Sequence, residues 1–196
     1  KPVTLSGLRG VHALGEGGHM GMALDPLFAT TGLLYVSHTY ATDDGTVFNK
    51  VVRFTLRGDT LTGARVILDR IPGGGVHNGC RLAFGPDGKL YVTTGDAAHR
   101  VVAQDTASMG GKVLRMNGDG TVPPDNPFRG SLVFSLGHRN PQGLAWAPES
   151  GMLFLSEHGP SGFDGPGGGD EINMIRAGLN YGWPLIHHTE RRAGLE

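Results

Sequence analysis

Three stretches of the chain carry the same pattern of hydrophobic and polar positions. Met22-Ala23-Leu24-Asp25-Pro26 leads to Leu34-Tyr35-Val36-Ser37. Leu82-Ala83-Phe84 leads through Pro86-Asp87-Gly88 to Leu90-Tyr91-Val92-Thr93-Thr94. Leu144-Ala145-Trp146-Ala147-Pro148 leads to Leu153-Phe154-Leu155-Ser156. Each predicts a strand, a tight turn and a second strand. Proline presets φ, aspartate supplies a local acceptor and glycine allows the turn to close. The alanines Ala23, Ala83 and Ala145 fall about 60 residues apart, and Lys50-Val51-Val52-Arg53-Phe54 repeats in phase as Lys112-Val113-Leu114-Arg115-Met116. Self-similarity at a fixed period of one small sheet predicts an all-β chain built as a β-propeller, one repeat per blade.

Further strands are expected at 49–56 and 64–68, joined by Arg57-Gly58-Asp59, and at 111–116, 131–136 and 170–176. Loops are expected at 104–111, 123–127 and 161–169, and nowhere is there a helical period. Residues 1–196 thus read as one partial propeller of about three blades, with no separate second domain. A ring needs at least about four blades. The remaining blades are therefore expected elsewhere, or copies associate through open sheet edges.

Composition narrows the partners. Glycine makes up 34 of 196 residues, clustered beside strands, which marks turns. The formal net charge is −1 and no basic block exists, so nucleic acid is not an expected partner. No apolar run approaches the ~20 residues of a membrane helix. The single cysteine, Cys80, permits no internal disulfide. No signal peptide is visible, and the chain starts at Lys1 without Met.

Candidate chemistry comes from the phase. Six residues before the aligned alanines stand Gly17, His77 and Arg139, and Glu16 adjoins the first. Equivalent positions before the innermost strands converge at one end of a propeller's channel. An acid, a base and a fixed cation are then expected in one cleft. Read singly, each has a plainer role: a turn former at His77, a loop-locking ion pair at Arg139, a solvated charge at Glu16. A second polar group follows the third hairpin: Glu157-His158-Gly159-Pro160, Asp170-Glu171 and Asn180-Tyr181. Its carbonyl and carboxylate oxygens suit a hard cation, and equally a polar connection.

The stretches 15–28, 77–96 and 110–128, with Gly137-His138-Arg139-Asn140-Pro141-Gln142-Gly143, Glu157-His158-Gly159-Pro160 and Gly169-Asp170-Glu171-Ile172-Asn173 to Asn180-Tyr181-Gly182-Trp183-Pro184, resemble the soluble aldose sugar dehydrogenases that use pyrroloquinoline quinone (PQQ). The resemblance implies a six-bladed propeller that oxidises aldoses to lactones, passes hydride to the quinone and then serves an external electron acceptor. It implies that His77 is the general base and Arg139 the cation at the quinone carbonyls. Glu16, His77, Arg139 and Asn140 would contact the cofactor. Gly159 and Pro160 would supply carbonyls to an active-site calcium, and Glu171 with Tyr181 would serve a second calcium. It also implies a periplasmic or secreted location. The chain departs from the pattern by stopping soon after Trp183-Pro184, before further blades with basic cofactor contacts, so low activity is expected of these 196 residues alone. The loop 161–168 is longer than the family pattern predicts, and Val76 stands where some glucose-active members have an aspartate. Two other functions stay open: a non-catalytic propeller that binds a partner, and a calcium-dependent sugar lactonase, which would need more side-chain metal ligands.

Overall fold

The computed structural model describes residues 4–188, 190 and 192–195. Strand β1 (His19–Leu24) is followed by a one-turn helix α1 (Phe28–Thr31), then β2 (Leu33–Ala41), β3 (Val47–Arg57) and β4 (Thr60–Pro72). Strands β5 (Gly79–Phe84), β6 (Leu90–Thr94), β7 (Lys112–Met116) and β8 (Val133–Leu136) come next, with a 3-10 turn at Arg100–Ala103 between β6 and β7. The last three are β9 (Asn140–Trp146), β10 (Leu153–His158) and β11 (Glu171–Ile175). They form three antiparallel sheets in the orders β1-β2-β3-β4, β5-β6-β7-β8 and β9-β10-β11. The all-β partial propeller expected from the repeats is what the chain adopts: two four-stranded blades and, among the described residues, three strands of a third.

The register explains the repeat. Ala23 faces Tyr35, Ala83 faces Tyr91, and Ala145 faces Phe154. A small residue opposite a large ring lets the next blade pack close to it. Tyr35, Val51, Leu68 and Ile71 of the first blade meet Leu82, Val92, Leu114 and Met116 of the second. Tyr91 and Val113 of the second meet Leu153, Leu155 and Ile175 of the third. Each inner strand also begins with a one-residue register shift against its neighbour, between His19 and Met22, between Gly79 and Leu82, and opposite the Ser156–Glu157 step. Such bulges turn the chain and re-aim the side chains before the strand.

Two expectations of extent are corrected. Strand β4 runs from Thr60 to Pro72 rather than 64–68, and the turn before it is Gly58-Asp59. Most of β4 is exposed, so no buried alternation marked its ends. Strand β8 starts at Val133 rather than 131, because the Ser131 hydroxyl accepts from the Val133 amide in a local turn.

The segment after β6 carries part of the site and is tied down by a buried lysine. Lys112 Nζ donates to the carbonyls of Val102 (2.7 Å), Ala103 (3.0 Å) and Gly110 (2.7 Å). Burial pulls this ammonium down to about 8, and the three carbonyls are what keep a charge there tolerable.

Candidate active site

Three slots that are far apart in sequence meet at one end of the inner strands. A cleft of about 540 Å³ is lined by Glu16, His77, Arg139, Asn140, the 158–161 segment and residues 168–170. Glu16, His77, Arg139, Asn140, Gly159 and Pro160 therefore share one space. Glu171 and Tyr181 line an adjoining cleft of about 480 Å³, which shares Arg139, Gly159 and Pro160 with the first.

His77 is held in an unusual backbone state. Its φ is +54°, which a β-carbon disfavours. The surroundings determine it: the His77 amide donates to Glu16 Oε2 (2.9 Å), and its carbonyl accepts from the Ala97 amide (3.1 Å). That carbonyl approaches Gly95 so closely that a β-carbon there would lie 1.9 Å away, so glycine is required.

The imidazole is buried and oriented by Asp96. His77 Nδ1 lies 2.8 Å from Asp96 Oδ1. An ionised carboxylate only accepts, so the neutral ring carries its proton on Nδ1 and keeps the Nε2 lone pair. Asp96 is fully buried and satisfied on both oxygens: the Ala98 amide donates to Oδ1 and the Trp183 indole Nε1 to Oδ2, each at 2.8 Å. The Asp96 amide donates to the Arg139 carbonyl (2.9 Å). One short segment thus ties the base and the cation together.

Arg139 is buried and pinned. Its Nε donates to Asp164 Oδ2 (2.6 Å), Nη1 to the His158 carbonyl (3.2 Å) and Nη2 to Ser161 Oγ (3.1 Å). Burial alone would push the Asp164 carboxyl up, but the Arg139 bond, the Ser161 amide and the charges of Arg139 and His77 hold it below the usual carboxylate range. The guanidinium carbon lies 5.6 Å from the Trp183 ring centre. Below it, Glu157 accepts from the Arg139 amide and, at 2.9 Å, pairs with His138 Nδ1. Asn140 does structural work with its oxygen, which accepts from the Gly79 amide (3.1 Å) and Gln142 Nε2 (3.0 Å).

The expected metal residues are less open. The Gly159 amide donates to Asp170 Oδ1 (2.9 Å), and the Pro160 carbonyl accepts from the Gly168 amide (3.0 Å). The Tyr181 hydroxyl donates to the Met174 carbonyl (2.6 Å) and accepts from the Arg176 amide (2.9 Å). Glu171 is raised by burial and by the charge of Glu157, against the Asn173 bond that lowers it. Among the described residues no group of three or more His, Cys, Asp or Glu side chains is gathered as a metal site.

The sequence reading gave no site role to Asp96, Asp164, Trp183 and His138, and placed Glu157 only in the polar group after the third hairpin, not beneath Arg139. Asp96 closes the second hairpin and was visible as a polar end to an apolar strand. Trp183 is 87 residues from it, and no local signal joins the two.

The chain matches the family model described as glucose/sorbosone dehydrogenase over residues 1–195. It is 38% identical to an aldose sugar dehydrogenase of Escherichia coli over 190 residues, covering 92% of this chain and 50% of the relative. It is 37% identical to quinoprotein glucose dehydrogenase B of Acinetobacter calcoaceticus over 201 residues, covering 88% of this chain and 41% of that protein. The PQQ-bound aldose sugar dehydrogenase of Streptomyces coelicolor superposes with a TM-score of 0.86 at 41% identity, over 95% of this chain and 54% of that one. The chain spans about half the length of these relatives.

Proposed function

The chain belongs to the glucose/sorbosone dehydrogenase family, and from that membership we propose that it carries the base and cation of a PQQ-dependent aldose dehydrogenase site, which oxidises an aldose to its lactone. The observation that carries this reading is the Asp96–His77 pair beside Arg139 in one cleft. The cleft suits the quinone chemically. Its volume falls in the ~300–1,000 Å³ range of small-molecule sites. Of the five guanidinium donors of Arg139, three are taken by protein acceptors, which leaves two for an anionic or carbonyl ligand. PQQ, when bound, supplies a two-electron acceptor for hydride.

His77 Nε2 takes the proton of the anomeric hydroxyl while hydride leaves the same carbon, so that the C1–O1 bond becomes the lactone carbonyl. Asp96 keeps the ring in the tautomer that can accept, and stabilises the imidazolium that results. Arg139 presents fixed positive charge, held by Asp164 so that no reorganisation is needed during the reaction. Glu16 fixes His77 through its backbone and bounds the cleft. Asn140 acts as a brace between the second and third blades.

Calcium is part of the same reading. Glu171 is a carboxylate kept partly from water and close to Glu157, a state that a hard cation relieves. The Gly159 and Pro160 carbonyls would hold one such ion and Glu171 with Tyr181 a second, and both would supply positive charge to the cleft. Glu171→Gln is expected to weaken calcium binding in calorimetry, and an unchanged affinity removes Glu171 from the ligand set. An external electron acceptor and a periplasmic or secreted location complete the proposal by family likeness.

The decisive experiment is dye reduction with aldoses by the full-length protein after adding PQQ and calcium. His77→Ala is expected to lower turnover about 10²–10⁴-fold while quinone binding persists. Full activity of that variant would leave a binding propeller as the better reading.

A further inference from the structure

The loop between Pro160 and Asp170 brings one large apolar side chain to a polar site. Phe163 is 72% exposed, yet its ring centre lies 6.3 Å from that of His77, with the two planes tilted by 33°. An exposed phenylalanine on a wandering loop would need no explanation, but this loop does not wander. The neighbouring residue, Asp164, is buried and fastened on three sides. Its Oδ2 accepts from Arg139 Nε (2.6 Å), its Oδ1 accepts from the Ser161 amide (3.0 Å), and its carbonyl accepts from Arg100 Nη1 (2.8 Å). The Gly168 amide closes the loop onto the Pro160 carbonyl (3.0 Å). Phe163 is thus held at the rim by the same carboxylate that holds Arg139.

We propose that Phe163 is a specificity-determining residue, whose ring receives the apolar C–H side of an aldopyranose while the anomeric hydroxyl sits at His77 Nε2. The inference rests on the proposed dehydrogenase reading. The geometry favours it in three ways. Nδ1 of His77 is committed to Asp96, so a substrate hydroxyl can approach the base only at Nε2. The cleft itself is lined by charged and polar side chains, glycine backbone and the Pro160 ring, none of which is a flat aromatic surface for a sugar's C–H face apart from the histidines. The exposed Phe163 ring beside His77 offers a flat apolar surface, and keeping it wet without a partner is unfavourable.

The test uses Phe163→Ala and the conservative Phe163→Tyr in the full-length protein, with D-glucose and D-xylose as substrates. PQQ binding is titrated separately by absorbance. Phe163→Ala is expected to raise KM about 3- to 10-fold, the size of one aromatic stacking contact. It is expected to leave kcat, its pH dependence and PQQ affinity unchanged, and Phe163→Tyr to restore KM. An unchanged KM overturns the inference. So does a loss that appears in PQQ affinity, which would assign the ring to the cofactor, or a loss in kcat with an altered pH profile, which would mean that Phe163 acts by supporting His77. Saturation-transfer NMR between the protein and D-glucose reads the contact without turnover. Transfer that disappears in Phe163→Ala, in a protein that does not oxidise aldoses, would keep this inference and sink the dehydrogenase reading. The absence of transfer in the wild-type protein overturns the inference itself.

Discussion

At the scale of single residues, the two buried histidines outside the proposed proton transfer show how much partners matter. His138 is fully buried and satisfied, with Ser135 Oγ on Nε2, Glu157 on Nδ1 and the Tyr181 ring stacked at 4.9 Å. His38 is 2% exposed, and both of its ring nitrogens lack a hydrogen-bond partner among the described residues. Burial, followed by the charges of Lys50 and His19, pulls the His38 imidazole down to about 4. The unfolded chain holds this proton with an ordinary pKa near 6.5, so from pH 6.5 downward the unfolded state binds more protons than the folded one. Stability that is intact above pH 6.5 is therefore lost as pH falls toward 4, by about 2–4 kcal/mol from this group. His38→Phe is expected to flatten that part of the stability profile in denaturant titrations at pH 7, 5.5 and 4.5. If the variant and the wild type lose stability in parallel, another group causes the acid sensitivity.

At the scale of elements, the hairpins were legible because their signals are local. Alternating apolar positions flank turn residues a few places apart, and the Gly85 amide reaching Lys89 and the Gly88 amide reaching Gly85 are contacts within one turn. The slot before each alanine was legible for a related reason, since equal phase in a repeat means equal place in the ring. Strand β4 was only half legible, because an exposed strand has no buried face to betray its ends. The partners of the site were not legible at all. Asp96, Trp183 and Asp164 act across turns and blades, where only the folded chain brings donor to acceptor. The bulged start of each inner strand belongs here too, and the second blade uses it to deliver His77. The segments on either side of it approach at Gly95, so Gly95→Ala would drive a β-carbon into the His77 carbonyl. The expected outcome is a stability loss of about 1–3 kcal/mol with loss of the proposed aldose oxidation in the full-length protein, because the base moves with its backbone. A variant with wild-type melting and wild-type turnover would show that His77 does not depend on this contact for its place.

At the scale of the whole molecule, the blades stack in sequence order, and their facing sheets bury the apolar side chains that alternate toward each neighbour. Buried contacts between blades therefore hold the proposed site, whose groups come from the starts of three inner strands. The two outer faces of the stack differ from the inner ones. On the first blade Leu34, Val36, Val52 and Phe54 are covered by Leu8 and Phe28, while Met22 and Leu24 remain exposed. On the third, Ile172 is 80% exposed on β11, and Met174 stands on the same side of that strand. Among the described residues β11 is an edge of its sheet, with isoleucine and methionine facing water and no proline within it, which is a surface that other strands add to. These 196 residues on their own are expected to self-associate, with light scattering giving a mass above that of the single chain. Ile172→Glu should move that mass toward the monomer, because a charge on the outer side of β11 opposes stacking while the inner side, with Ile175 in the core, is untouched. The variant tests the face directly, since Ile172 makes no contribution to either of the cores between blades. A wild-type chain that is monodisperse and monomeric at micromolar concentration would show that the outer faces are tolerated by water as they stand.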